Sequence, residues 1–151
     1  MTNSNSADTG PAACLKHALS LLARRDHFST ELIDKLVEKG FSRDDALAAA
    51  EKLKGMKYLD DARTLESYAA EMKRHKKGFL FFCMKLVQKK ARSLFSDREL
   101  RAVYTVTEER AIAHAFAERM RWKQGEIRRR LSSRGFSAEA AGRTHADEPE
   151  E

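Results

Sequence analysis

The side chains with most to offer chemically are cations, and they are clustered. Between Met72 and Ser96 the chain carries Lys73, Arg74, Lys76, Lys77, Lys85, Lys89, Lys90 and Arg92 with no acid among them. Between Arg119 and Arg134 it carries Arg119, Arg121, Lys123, Arg128, Arg129, Arg130 and Arg134 against Glu126 alone. Ammonium and guanidinium groups at this density attract phosphates or carboxylates; they do not by themselves make or break bonds. The groups that would do so lack the company they need. The histidines at 17, 27, 75, 114 and 145 are scattered, and Cys14 and Cys83 have neither metal-ligand nor disulfide spacing. There is no phosphate-cradling glycine loop, nucleophile motif or H-E-x-x-H string. His27, beside Asp26 at a helix start, reads as a hydrogen bond within a turn. The expectation is a binding protein, not an enzyme, with no metal and no cofactor.

Charge and composition sharpen this. The 151 residues carry a formal net charge of +6. Asp8 and the four acids of the last eight residues account for five negative charges, so 12–143 alone carries +11. A body this basic suits a polyanion or an acidic protein surface as partner. Charged residues reach 34% and apolar ones 42%, which favours slender helices with large solvated faces over a sheet protein. The cysteine usage fits a reducing cytosol. The longest apolar run, Gly78 to Met84, is too short for a bilayer, so no membrane partner is expected.

The elements that must position these cations repeat. Residues 31–42 read as a helix with Leu32, Ile33, Leu36 and Val37 on one stripe, Lys39 in its last turn and Gly40 as a left-handed stop before Phe41. The pattern recurs 95 residues later, where Glu126, Ile127, Leu131, Arg134, Gly135, Phe136 and Ser137 follow in the same order. A degenerate copy lies 50 residues after the first, with Phe82, Cys83, Leu86 and Val87 on the apolar stripe and Lys90 in place of the glycine. Three copies indicate an internal repeat.

The surrounding helices complete three-helix units. Leu15, Ala18, Leu19 and Leu22 face the first, Ser29 caps the second, and Ser42 with Asp45 caps a third that carries Leu47, Ala50 and Leu53. Asp60 or Asp61 starts the next unit, Ser96 and Glu99 form a capping box, and a helix from Thr107 turns Ile112, Ala115, Phe116 and Met120 inward. The expected fold is all-α: about three tandem three-helix repeats, elongated and curved, the last truncated. Its divisions are a disordered leader at 1–11, repeats at 12–57 and 58–106, a partial repeat at 107–142 and an acidic disordered tail at 143–151.

The assembled residues resemble the RecX family, bacterial regulatory proteins that modulate the RecA recombinase. The resemblance rests on Arg25-Asp26-His27 with Glu31-Leu32 and Lys35-Leu36, on Tyr58-Leu59-Asp60-Asp61 with Arg63, and on Ile127, Leu131, Arg134 and Gly135-Phe136. It covers roughly 12–142. Departures fall at Lys57, Thr64 and Phe28, and above all in the middle repeat at Phe79–Met84 and Lys90. The resemblance implies a cytoplasmic monomer that binds the RecA–DNA filament and inhibits or modulates its recombinase and ATPase activity, in homologous recombination and the SOS response. Single- or double-stranded DNA is a further expected partner.

The basic positions of the second and third repeats are the expected filament contacts: Lys73, Arg74, Lys76, Lys77, Arg128, Arg129 and Arg130. Two other readings fit the same residues. One is a general helical nucleic-acid-binding protein, since paired short helices mimic helix-turn-helix units. The other is a non-enzymatic adaptor for another acidic protein. In the Phe79–Met84 run, Phe82 belongs to the core by register; Phe79 and Phe81 fill extra space between repeats, or one of them is exposed as a protein contact. Trp122 covers a repeat junction or stacks on a base.

Overall fold

The computed structural model describes residues 9–142. Residues 1–8 of the expected leader, and the whole of the expected acidic tail at 143–151, lie outside the described residues. The described chain forms α1 (Pro11–Arg24), α2 (Ser29–Lys39), α3 (Arg43–Gly55), α4 (Asp61–Arg74), α5 (Phe79–Gln88), a 3-10 turn (Arg92–Leu94), α6 (Asp97–Val103), α7 (Val106–Met120), α8 (Gln124–Ser133) and α9 (Ala138–Ala141). No strand occurs among the described residues. The fold is all-α, the helices follow one another in threes, and the ninth is a single turn. No helix of the described residues is long and apolar enough to cross a membrane.

Packing divides the chain into two compact units. One comprises the residues up to Leu65 together with Lys89–Ala91; the other comprises Glu66–Gln88 and the residues from Arg92 onward. In the first unit, Cys14 and Ala18 of α1, Leu32 and Leu36 of α2, and Ala46, Ala49, Ala50 and Leu53 of α3 form the core with Leu59. Each fully buried leucine withdraws apolar surface worth about 1.5–3 kcal/mol. The α3 stripe differs from expectation. Leu47 is exposed, and the buried face runs through alanines at i, i+3 and i+4, whose small side chains let helices approach closely. Leu19 likewise lies outside the core.

The helix ends explain how so many short helices are joined so tightly. After α2, the Gly40 N–H donates to the Val37 carbonyl and the Phe41 N–H to the Leu36 carbonyl, with Gly40 left-handed at φ 114°. The same paired bonds close α3 at Lys57, α4 at Lys76, α7 at Arg121 and α8 at Gly135, every one of these residues at positive φ. Lys90, which stands where the first and third copies have glycine, is left-handed too, at φ 56°. The degenerate copy has lost the glycine and kept the turn.

In the second unit, Phe82 and Leu86 of α5, Leu100 and Tyr104 are buried. Ala113, Ala117, Ile127, Leu131, Phe136 and Ala141 form a further cluster with Trp122 and Phe116 at its edge. The start of α7 corrects the sequence reading. Its cap is Thr105, which with Glu108 forms a second capping box beside that of Ser96 and Glu99. Its buried face runs through Glu109, Ala113 and Ala117, whereas Ala115 and Met120 are exposed.

Candidate interaction surface

Apart from Lys89 and Lys90, which belong to the first unit, both basic clusters belong to the second unit, and backbone bonds join them. The turn that follows α4 lies against the turn that follows α8. The Gly78 N–H donates to the Arg134 carbonyl at 3.1 Å and the Leu80 N–H to the Gly135 carbonyl at 2.9 Å. Arg134 returns two bonds, from Nε to the Lys76 carbonyl and from its terminal nitrogen to the His75 carbonyl, each at 3.2 Å. Two glycines make the approach possible. A Cβ on Gly78 would sit 2.1 Å from the Phe136 nitrogen, and one on Gly135 would sit 2.5 Å from the Phe81 Cβ. Arg134, counted in the sequence as one more cation of the cluster, is thus a clamp between its two halves, with its guanidinium also 4.6 Å from the Phe116 ring centre.

A buried carboxylate holds the unit behind this surface. Glu109 is fully buried and accepts from the Phe79 N–H at 3.1 Å, the Ser137 N–H and hydroxyl at 2.8 Å each, and the Arg101 guanidinium at 2.9 Å. It satisfies orphan donors at the starts of two helices at once. Tyr104, buried beside it, donates its hydroxyl to the Lys77 carbonyl at 2.7 Å. Burial, with Glu109 and Glu108 nearby, pushes the Tyr104 hydroxyl far above its ordinary value, so it stays protonated and keeps that bond. Glu109 stands in its helix's first turn, and in the sequence only the 109–113–117 spacing hints that it points inward.

The seven expected contact residues are not equivalent. Lys73 pairs with Glu108 at 3.0 Å and lies 5.3 Å from the Tyr104 ring centre, with under a quarter of its side chain exposed. Lys76 supplies the left-handed residue of its turn, and the Lys77 ammonium lies 4.7 Å from the Phe81 ring centre. Arg130 pairs with Glu126 at 3.3 Å and lies over Trp122, which in turn meets Phe116 edge-on. Arg74, Arg128 and Arg129 are exposed. Trp122 therefore covers the α7–α8 corner under an arginine.

The first unit supplies a matching device of structural purpose. Asp61 accepts from the Ser29 N–H at 2.7 Å and from its hydroxyl at 2.5 Å, so it secures the start of α2 as Glu109 secures that of α5. Ser29 is consequently the first residue of α2 and not its cap, a place taken by Phe28. In the Tyr58–Arg63 string, Leu59 is core, Asp60 accepts from the Arg63 N–H at 3.1 Å, and Arg63 meets the Tyr58 carbonyl at 3.3 Å and Asp26 at 3.7 Å. The His27 Nδ1 meets the Arg25 carbonyl at 2.9 Å and so carries the proton; its Nε2 accepts from Lys35 at 3.2 Å. Burial lowers the His27 pKa, and the ring stays neutral. Burial works to raise the Glu31 carboxyl, but the Arg25 hydrogen bonds and the charge of Lys89 outweigh it and hold Glu31 below the usual range.

The family model for RecX, first three-helix domain, matches residues 14–53. A regulatory protein RecX of Legionella pneumophila (strain Corby) is 43% identical over 51 residues, 34% of this chain and 34% of that protein. A regulatory protein RecX of Xanthomonas oryzae pv. oryzae (strain MAFF 311018) is 41% identical over 64 residues, 42% of this chain and 38% of that protein. These matches span just over a third of the length of those relatives. Among solved structures, RecX from Lactobacillus salivarius superposes with a TM-score of 0.72 at 18% identity, covering 87% of this chain and 92% of that one. A second regulatory protein RecX superposes at 0.67 and 18%, covering 87% and 70%. At that identity the structural likeness speaks for the fold.

Proposed function

We propose, from the premise that this chain belongs to the RecX family of regulatory proteins, that it binds the RecA–DNA filament and lowers its recombinase and ATPase activity. The observation that carries the reading is the seating of the 75–78 turn on the 134–136 turn, which gathers Arg74, Lys76, Lys77, Arg128 and Arg129 in one unit. Cations so placed suit a nucleoprotein filament, which offers phosphates and acidic side chains together. ATP hydrolysis belongs to the recombinase; this chain acts by occupying the filament and hindering its assembly or turnover. The reading places it in the cytoplasm, where the recombinase works.

Titrating the purified protein into the DNA-dependent ATPase and strand-exchange reactions of the recombinase from the same organism tests this. Inhibition below one protein per recombinase subunit, with weak binding to naked DNA, is the expected result. Tight binding to naked DNA with a steep salt dependence, and no effect on the recombinase beyond competition for DNA, would replace this reading with that of a general nucleic-acid-binding protein.

A further inference from the structure

The second helices of the three repeats can be laid on one another by register. Leu32, Phe82 and Ile127 coincide, as do Leu36, Leu86 and Leu131, and all six are buried. Three other register positions, spaced i, i+4 and i+7 and so on one helical face, separate the copies. The first copy has Thr30, Asp34 and Val37 there, and the third has Gly125, Arg129 and Ser132. The middle copy has Leu80, Met84 and Val87, which are 55%, 46% and 59% exposed. Two copies thus form their helix with a mostly polar set at these positions, so folding does not require an apolar one. Nor is the stripe surplus from the core of α5. Phe82 and Leu86 fill that core, Phe79 lies 3.6 Å from the Arg101 guanidinium, and Phe81 packs on Gly135. An exposed stripe of three large apolar side chains on one helix marks a contact surface.

Charge decides what covers it. The Lys77 and Lys85 ammonium groups flank the stripe, 4.7 and 5.3 Å from the Phe81 ring centre, and residues 73–95 contain no acid. A second copy of this chain docked on the same face would set these lysines against their own equivalents, and the 73–95 segment brings no carboxylate to answer them. A nucleic-acid backbone would answer the lysines but not the apolar side chains. We propose that α5 docks through Leu80, Met84 and Val87 into an apolar groove with an acidic rim on the protein component of the recombinase filament, as an amphipathic helix lies in a groove. This rests on the function proposed above and divides the labour: α5 grips protein, while the exposed arginines of α8 meet phosphate. The flexible, polarizable Met84 at the centre suits such a contact.

The test is the triple variant Leu80→Ser, Met84→Gln, Val87→Thr of the full chain, assayed for inhibition of the recombinase ATPase, for DNA binding and for thermal unfolding. The expected result is at least a tenfold rise in the concentration needed for inhibition, with DNA binding unchanged. Should the triple variant fail to fold, Met84→Glu and Met84→Lys decide: the acid weakens inhibition at least tenfold against an acidic rim, and the lysine weakens it far less. Inhibition by folded variants equal to that of the natural chain overturns the docking proposal and leaves the proposed function standing. A natural chain that has no effect on the recombinase overturns both. A concentration-dependent dimer that the substitutions dissolve assigns the stripe to a second copy and also overturns it.

Discussion

At the scale of single residues, the acids at the starts of α4 and α7 carry the greatest structural weight. Glu109 receives three bonds besides its ion pair with Arg101 and has no access to solvent. Removing it strands Arg101 and leaves the Phe79 N–H at the start of α5 and the Ser137 N–H without acceptors. Glu109→Ala should therefore cost about 3–5 kcal/mol, read as a fall in the denaturation midpoint. The first unit should show its own acid sensitivity. The folded pKa of His27 lies below its unfolded value, so the unfolded chain takes up the proton first as pH falls. Stability tied to neutral His27 is then complete above about pH 6.5 and declines below it. Glu31, depressed in the fold, adds stability that is complete above its unfolded value near 4.5 and is lost as pH falls through its lower folded value. Melting temperature against pH should show both declines, and His27→Gln should remove only the first.

At the scale of elements, the recurring left-handed helix stop is the organising device, and it is met with glycine in two places and with lysine or arginine in four. A side chain in that conformation costs about 1–2 kcal/mol relative to glycine. Lys76→Gly should consequently raise stability by about 1 kcal/mol in a denaturation experiment while weakening any contact made by the Lys76 ammonium. Gly78 is the opposite case. Its Cβ would collide with the Gly135–Phe136 backbone, so Gly78→Ala should destabilise the protein by about 2–3 kcal/mol and separate the two basic turns. The glycine stops at 40 and 135, the caps at Ser42 and Ser96, and the buried stripe positions 32, 36, 82, 86, 127 and 131 were legible in the sequence, because each is a local rule of spacing or capping. The stop at Lys90 was not, since no residue type announces it. The pairing of Ser29 with Asp61, and of Phe79 and Ser137 with Glu109, was not legible either: these join segments about 30 residues apart, and periodicity is silent on such contacts. The sequence also overweighted large side chains. Leu47, Met120 and Val87 were assigned to cores that alanines or aromatics fill.

At the scale of the whole molecule, two compact units combine scaffold residues shared among the repeats with outward faces that differ. The Tyr58–Arg63 string, the most specific part of the family resemblance, is occupied in holding the first unit together. The residues proposed to meet a partner lie in the second unit, on α8, on the 75–78 turn and on α5. Function then follows from what distinguishes the repeats, and the account predicts that it can be removed without harming the fold. The pair Arg128→Glu, Arg129→Glu is the cleanest probe, because both side chains are exposed, whereas Arg130 is paired with Glu126 and lies over Trp122. The most direct measurement is co-sedimentation of the natural chain and this double variant with recombinase filaments assembled on single-stranded DNA. The account predicts that the natural chain pellets with the filaments and that the double variant, with an unchanged melting temperature, binds at least tenfold more weakly. Failure of the natural chain to bind the filaments, or equal binding by the double variant, would contradict it.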